Sequence, residues 1–313
     1  MFFHSKFGTF YSFLPLLILA GEAFAAGREM VLVFAPHPDD EAIGCAGVMM
    51  QALARGGQVR VAGFTNGDGF PAAAAGLTKK PVTELAAEDF FAISRFRQMQ
   101  MRTAMLTLGG KPDDVIFLGY PDSMLGALYE ETEDKPLRQK FTGKAETYAL
   151  IQKDYHTTVH GRPAPYTRAA VLADVVELIR TLQPTEIYVT SGADAHIDHR
   201  AAFWFVHDAV KTAGYKGAFY SYLVHAKPNH AWPWPEGITP KLPFAAHRID
   251  GEEAPHGLPW PPSKRVPLSL KEAGIKLKAI QAHDIHVVGN PDHQKNLESF
   301  VKSEEVFWLP DSR

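Results

Sequence analysis

The sequence has 313 residues, of which 46% are hydrophobic and 21% are charged. It can therefore bury a substantial core, and its composition excludes a disordered or fibrous protein. The formal net charge is −3, and acidic and basic residues are mixed along the chain. This pattern argues against nucleic acid or an anionic membrane surface as a partner.

The first 25 residues differ from the rest of the chain. Lys6 precedes an apolar stretch over 7–20, and the small residues Ala23 and Ala25 provide a cleavage site. These features predict a signal peptide over 1–25. The mature protein would then be exported and would be periplasmic or secreted. An uncleaved anchor is the alternative, but Pro15 interrupts the stretch and the apolar run is short for a bilayer. No later segment predicts a membrane span.

Residues 26–313 alternate between strand and helix patterns and predict a single domain. The expected fold is α/β, with an open, mostly parallel twisted sheet and helices on both faces. Loop insertions are expected at about 123–165 and 227–262. Strands are predicted over 30–35, 59–65, 115–118, 186–190 and 218–224, and helices over 40–55, 83–108, 171–182 and 199–212.

The second insertion is rich in proline and contains Trp232, Trp234 and Trp260. Its aromatic rings could stack on a sugar, or they could pin a rigid loop to the domain surface. The second interpretation is favoured, because aromatic anchors are common in long loops without a binding role.

The motif PHPDDE over 36–41 stands where the first strand ends and the first helix begins. His37 and Asp40 can converge on one ion, with Asp39 beside the remaining coordination position. Burying these ionisable groups together is unfavourable unless a positive charge compensates them. The motif therefore predicts a divalent metal site, and a turn with a helix cap is the less favoured alternative.

A second motif, DAHIDH over 194–199, follows the strand predicted over 186–190. It lies at the same edge of a parallel sheet as the first motif, where ligands bind in this class of fold. Two neutral histidines and one carboxylate leave a position on zinc for water, which is typical of a catalytic rather than a structural site. The two motifs together predict a hydrolytic zinc centre.

The two motifs, in this order and after two strands, resemble those of the PIG-L (LmbE-like) family of zinc-dependent N-deacetylases. The segments 65–68 and 118–123 are weaker matches to loops of that family, and 278–283 to its late helix. The resemblance extends over nearly the whole mature chain and implies a Rossmann-like, LmbE-like deacetylase fold.

The resemblance implies a role for each motif residue. His37, Asp40 and His199 would bind Zn²⁺, and Asp39 would be the base that activates the metal-bound water. His196 would steady the developing oxyanion or protonate the leaving amine. Fe²⁺ or another divalent ion is the alternative cofactor.

The resemblance also implies a supporting set of residues. Asp198 would orient a histidine, and Arg97, Asp122 and His283 would contact the substrate. The family usually has glutamate where this chain has Gln100, three residues after the arginine. Glutamine at this position lacks the charge but keeps the hydrogen-bonding capacity.

The expected function is removal of the N-acetyl group from an N-acetylglucosamine-type sugar or glycoconjugate. Three alternatives stay open: hydrolysis of a thiol-conjugate or peptide-like amide, a two-metal phosphoesterase using residues 289–293, and a non-catalytic sugar-binding module. The chain also departs from the family at His286, which is either a new site contact or an exposed helix end. Oligomeric state is not predicted.

Overall fold

The structure, a computed structural model, describes residues 29–227, 230–249, 251–255, 257–283 and 291–310. The predicted signal peptide and His286 lie outside these ranges, as do the first two residues of the 289–293 motif. Within the described ranges, no helix combines the length and the apolar character needed to cross a bilayer.

Five parallel strands form the central sheet, in the order β3-β2-β1-β4-β5. They are β1 Met30–Ala35, β2 Gln58–Thr65, β3 Val115–Tyr120, β4 Glu186–Thr190 and β5 Ala218–Tyr222. Parallel strands are buried on both faces, which explains why β1 is a continuous apolar run. The predicted α/β class with a mainly parallel sheet is confirmed.

Helices connect these strands and follow them along the chain. They are α1 Asp40–Ala54, α2 Pro71–Thr78, α3 Ala87–Thr107, α4 Leu125–Glu130, α5 Tyr155–His160, α6 Arg168–Leu182, α7 Ile197–Ala213, α8 Leu270–Ala282 and α9 Pro291–Glu298. The helix predicted over 83–108 begins later than expected. A 3₁₀ turn over Val82–Glu84 precedes it, and the Asp89 carboxylate accepts the backbone N–H of Ala86 at 2.8 Å to cap α3.

Two hydrophobic cores lie on opposite faces of the sheet, and β1 contributes to both. Val31 and Val33 enter the core covered by α1, α3 and α8, whereas Leu32 and Phe34 enter the core covered by α6 and α7. Successive side chains of a strand point to opposite faces, so a fully apolar strand serves both cores. The predicted helices on both faces are therefore present.

In the described part of the segment over 227–262, aromatic side chains pack against the rest of the domain. Trp232 is buried, stacks on Phe244 with 5.1 Å between ring centroids, and donates its Nε1–H to the Leu223 carbonyl at 2.8 Å. Trp234 is more exposed, with 40% of its surface accessible. Trp232 is thus part of the core, as the rigid-loop interpretation expected.

Short antiparallel strand pairs complete the fold. They are β6 His225–Lys227 with β7 His230–Ala231, β8 His247–Ile249 with β9 Glu252–Ala254, and β10 Lys264–Pro267 with β11 Glu304–Phe307. Directly after β11, Trp308 exchanges two backbone hydrogen bonds with Ser221 of β5, at 2.8 and 2.9 Å. This contact covers part of an edge strand that would otherwise expose unpaired backbone groups. The sequence analysis did not predict it.

Close packing of α1 on the sheet depends on Gly44. A Cβ atom at this position would lie 2.5 Å from Cε2 of the buried Tyr222. We expect Gly44→Ala to lower the free energy of unfolding by about 1–3 kcal/mol, because overpacking forces neighbouring groups to move. Urea unfolding monitored by circular dichroism measures this change.

Gly274 in α8 is the matched control, since a Cβ atom there has no neighbour within 4 Å. Gly274→Ala should raise the free energy of unfolding by about 0.5–1 kcal/mol, the usual gain from alanine in a helix. Equal stability changes in the two variants would contradict the packing argument.

Candidate metal centre and active site

The two predicted motifs meet at the carboxyl ends of β1 and β4. These strands are neighbours in the sheet, and the chain continues from β1 to β2 on one side and from β4 to β5 on the other. Ligands bind at such a switch point in open α/β sheets. Residues 36–39 lead from β1 into α1, and residues 191–196 lead from β4 into α7.

Three atoms of the predicted ligand set form a compact triangle. His37 Nδ1 lies 3.1 Å from His199 Nε2, and Asp40 Oδ2 lies 3.4 Å from the first of these atoms and 3.3 Å from the second. A tetrahedral zinc ion with bonds of about 2.0–2.1 Å would separate its ligand atoms by about 3.3–3.4 Å. Two edges of the triangle match this value, and the third is shorter by a few tenths of an ångström, so the donor set fits one small divalent ion with only a small shift of the imidazoles.

Carboxylates on the far side of each imidazole orient these rings. Asp122 Oδ1 and Asp198 Oδ2 lie 3.3 and 3.4 Å from His37 Nε2, and Asp194 Oδ2 lies 3.2 Å from His199 Nδ1. A carboxylate behind a metal-binding imidazole fixes the tautomer and raises its basicity. Asp198 thus stands where its predicted role requires, and Asp194 has the same role for the second ring.

The electrostatics of the triangle also favour a cation. Burial lowers the pKa of His37, but the carboxylates of Asp122, Asp198 and Asp40 outweigh it and raise this pKa well above its ordinary value. Burial raises the pKa of Asp40, but His199 and His37 outweigh it and hold this pKa well below its ordinary value. The pocket therefore stabilises positive charge, whether carried by protons or by a metal ion.

Asp39 lies beside the triangle in a strained conformation. Its φ of 142° falls in a region that residues other than glycine rarely adopt. The backbone is held there because Asp39 N–H donates to Glu41 Oε2 at 3.1 Å, while Arg97 Nη2 donates to the Pro38 carbonyl at 2.8 Å and to Asp39 Oδ2 at 3.2 Å. Such strain is typical of functional positions whose surroundings enforce one orientation.

Burial raises the pKa of Asp39 to about 6, although the neighbouring Arg97 opposes this shift. A carboxylate with this pKa is largely ionised at neutral pH and yet is a better proton acceptor than an ordinary aspartate. It has the properties that a general base needs near pH 7.

His196 is the N-cap of α7, so the helix begins before the predicted residue 199. Its Nδ1 accepts the backbone N–H of Asp198 at 3.2 Å, which leaves the ring proton on Nε2. Burial, with the nearby His37 and His199, lowers the pKa of His196 to about 3. The ring is therefore a neutral hydrogen-bond donor. It is also close enough that His37, His196 and His199 present ligand atoms within 4.8 Å of one another.

A cavity of about 530 Å³ opens over these residues. Its lining includes polar side chains, among them Arg97 and Asp122, and an apolar part with Val224, Leu297 and Phe300. Asp122 Oδ2 also accepts the Gly69 N–H at 2.9 Å. Arg97 and Asp122 therefore line the cavity and also hold other parts of the site, and their contact with substrate stays a prediction.

His283 has a different position. It is buried at the end of α8, and its Nε2 lies 2.8 Å from Glu41 Oε1. It is not among the residues that line the cavity. The structure therefore places His283 behind Glu41, where it supports the carboxylate that holds the backbone of Asp39. Its contact with substrate stays a prediction.

Sequence reasoning missed three residues of the site. Asp194 and Glu41 stand within the two motifs, but the sequence assigns neither of them a role at the site. His225 was missed entirely: it lines the cavity, with its ring centroid 5.1 Å from that of His199. Its place just after β5, the strand next to β4, was the available signal.

Known proteins share this fold. N,N′-diacetylchitobiose deacetylase from Pyrococcus horikoshii is 17% identical, with a TM-score of 0.52 and coverage of 91% of this chain and 84% of that one. The conserved protein TT1542 from Thermus thermophilus is 20% identical, with a TM-score of 0.51 and coverage of 90% and 94%. GalB, the 4-carboxy-2-hydroxymuconate hydratase from Pseudomonas putida KT2440, is 15% identical, with a TM-score of 0.50 and coverage of 88% and 84%.

No curated protein matches the sequence significantly. The model of one protein family, PIG-L, described as GlcNAc-PI de-N-acetylase, matches residues 32–210. This match spans more than half of the chain and includes both metal-site motifs. The protein therefore belongs to the PIG-L family.

Proposed function

We propose that this protein removes the N-acetyl group from an N-acetylglucosamine-type sugar or glycoconjugate, with Zn²⁺ held by His37, Asp40 and His199. The observation that carries the proposal is the triangle of three ligand atoms with an ionisable carboxylate, Asp39, beside it. Membership of a family of de-N-acetylases and the fold shared with a chitobiose deacetylase support the proposal.

A divalent ion in this site would supply the positive charge that lowers the pKa of a water molecule and polarises a carbonyl group. In the proposed reaction Asp39 accepts a proton from the water that attacks the amide carbon. The hydrogen bond from Arg97 and the buried backbone around Asp39 hold this carboxylate in one orientation. Such positioning removes part of the entropic barrier of the reaction.

His196 stabilises the charge that develops on the amide oxygen. Because its ring is neutral and carries the proton on Nε2, it can donate a hydrogen bond there without losing that proton. The C–N bond then breaks, and Asp39 returns its proton to the leaving nitrogen. The products are acetic acid and the amine, which leave as acetate and the protonated amine once the acid has transferred its proton, and both catalytic groups regain their starting protonation.

The cavity is suited to a sugar-sized group. Arg97 and Asp122 provide a donor fork and an acceptor for hydroxyl groups, and the apolar part of the lining with Phe300 can cover a ring face. The hydratase GalB shares the fold, so the fold alone does not select a reaction. The proposal therefore depends on the site residues.

The test is acetate release by zinc-loaded protein from a panel of N-acetylated compounds. N-acetylglucosamine, N,N′-diacetylchitobiose and a lipid-linked N-acetylglucosamine represent the proposed class, and N-acetylated amino acids and thiol conjugates represent the rival amides. We expect acetate and free amine in equal amounts from at least one sugar. Turnover of the rival amides alone would overturn the proposed substrate class.

We further propose that the chain is exported and works as one domain over 26–313. The evidence is the amino-terminal pattern, with its apolar stretch and its small residues before position 26. Sequencing the amino terminus of protein recovered from the periplasm or medium should give Ala26 as the first residue. Retention of residues 1–25 in a membrane fraction would favour the uncleaved anchor.

A further inference from the structure

A second group of metal-binding side chains lies outside the site described above, between α5 and α6. His156 and His160 are four residues apart on α5, so they share a face, and their ring centroids are 4.4 Å apart. Asp174 of α6 faces them. His156, His160 and Asp174 present ligand atoms that all lie within 4.8 Å of one another.

Each of the two imidazoles already contacts one carboxylate of α6. His156 Nδ1 lies 2.7 Å from Asp174 Oδ1, and His160 Nε2 lies 2.9 Å from Glu177 Oε2. Tyr120 donates its hydroxyl proton to the other oxygen of Asp174, at 2.6 Å. This bond anchors the carboxylate and directs Oδ1 towards the histidines.

An ion can reach this cluster from solvent. The side chains of His160 and Glu177 are 39% and 37% exposed, whereas that of Asp174 is 1% exposed. The cluster thus has a buried, anchored ligand at its base and exposed ligands at its mouth. Neutral imidazoles with carboxylates are a common ligand set for zinc and related transition metals.

We propose that His156, His160 and Asp174 form a second metal site, with Glu177 at its open side, which binds one Zn²⁺ or a similar transition-metal ion. To take up the ion, His156 Nδ1 and Asp174 Oδ1 must move apart from 2.7 Å to the edge of a zinc tetrahedron, about 3.3 Å. The ion would replace their hydrogen bond, and the neutral ring of His156 would carry its proton on Nε2 instead of Nδ1.

Such an ion would link the first insertion to the body of the domain. It would join α5 to α6, and through Asp174 to Tyr120, the last residue of β3. Asp122, at the catalytic cavity, follows Tyr120 by two residues. The second site would thus brace the end of β3, from which the chain continues to Asp122 at the cavity.

The test counts ions bound to full-length protein without a histidine tag, by titration calorimetry with zinc and by elemental analysis after dialysis. We expect two zinc ions per wild-type chain and one per His160→Ala chain. The matched control is His207→Ala, which removes a helical histidine near a carboxylate, Asp208, at 3.9 Å. It should still bind two ions.

A second measurement isolates the new site. In a His37→Ala/His199→Ala background, Co²⁺ should bind with micromolar or tighter Kd and raise the unfolding temperature, and adding His160→Ala should weaken binding at least about tenfold. One zinc per wild-type chain, or equal binding with and without His160, would overturn the second site. Neither outcome bears on deacetylation, which the acetate assay tests separately.

Discussion

We expect Asp39→Asn to lower kcat/KM for acetate release by about 10²- to 10⁴-fold, the range that a general base contributes. The substitution keeps the shape of the side chain and an oxygen for the Arg97 hydrogen bond, and asparagine tolerates positive φ better than most residues. Zinc should stay bound, because Asp39 is outside the ligand triangle. Steady-state kinetics with metal analysis of the same sample measures both properties.

Asp39→Asn should also change how kcat/KM depends on pH. Wild-type kcat/KM should fall as pH drops through about 6, because protonated Asp39 cannot accept a proton. Zinc next to this carboxylate would move the acidic limb of the pH profile to lower pH, since a nearby cation favours the ionised form of Asp39. In Asp39→Asn the limb should disappear from the remaining activity.

Stability provides a readout that is independent of turnover. The folded-state pKa of Asp39 is above the unfolded value, so the folded protein binds more protons between about pH 4 and 6. Metal-free wild-type protein should therefore lose stability as pH rises through this window. Asp39→Asn removes that contribution, and we expect the metal-free variant to unfold at a higher temperature than wild type at pH 7.

Asp113→Asn is the control for these measurements. Asp113 is 90% exposed and pairs with Arg102 at 3.0 Å, at the surface. It should keep wild-type activity and an unchanged pH profile. Wild-type kcat/KM in Asp39→Asn would show that the base is elsewhere.

The positions of the two motifs in the fold were predictable because each motif directly follows an apolar run that forms a strand. An apolar run before PHPDDE predicts a strand end, and the parallel sheet then brings the second motif to the same edge. His37, Asp40 and His199 come together as a consequence, although 162 residues separate the two histidines. The resemblance to a known family added their expected roles.

Pairings that depend on packing rather than on strand order were not predictable. Glu41 meets His283 across 242 residues of sequence, and only the packing of α8 against α1 brings them together. The contact of Trp308 with β5 likewise depends on the folded end of the chain. No periodicity along the sequence encodes these contacts, since each needs two elements to be placed first.

His199→Ala should abolish stable zinc binding at the catalytic centre. His199 Nε2 is one corner of the ligand triangle, and loss of a direct ligand should weaken zinc by more than about 100-fold, beyond the effect of an orienting partner. Deacetylation should fall to background even with excess zinc. Competition with a chelator gives the affinity, and the acetate assay gives the rate.

The variant also removes the imidazole that lies beside the buried carboxylates of Asp40 and Asp194, which tends to destabilise the fold. His199→Gln is therefore a second test, because glutamine keeps a polar side chain that can donate a hydrogen bond to the nearby Asp194 carboxylate. It should be folded, as judged by circular dichroism, and equally poor at binding zinc.

His225→Ala is the matched control, because His225 lies in the same cavity with its ring 5.1 Å from that of His199 but is outside the ligand triangle. Burial lowers its pKa to about 4, so it is neutral near pH 7 and its removal changes no charge there. His225→Ala should keep zinc affinity within about tenfold of wild type. If it lost zinc and His199→Ala kept it, the ion would be bound by a different set of histidines and the proposed centre would be wrong.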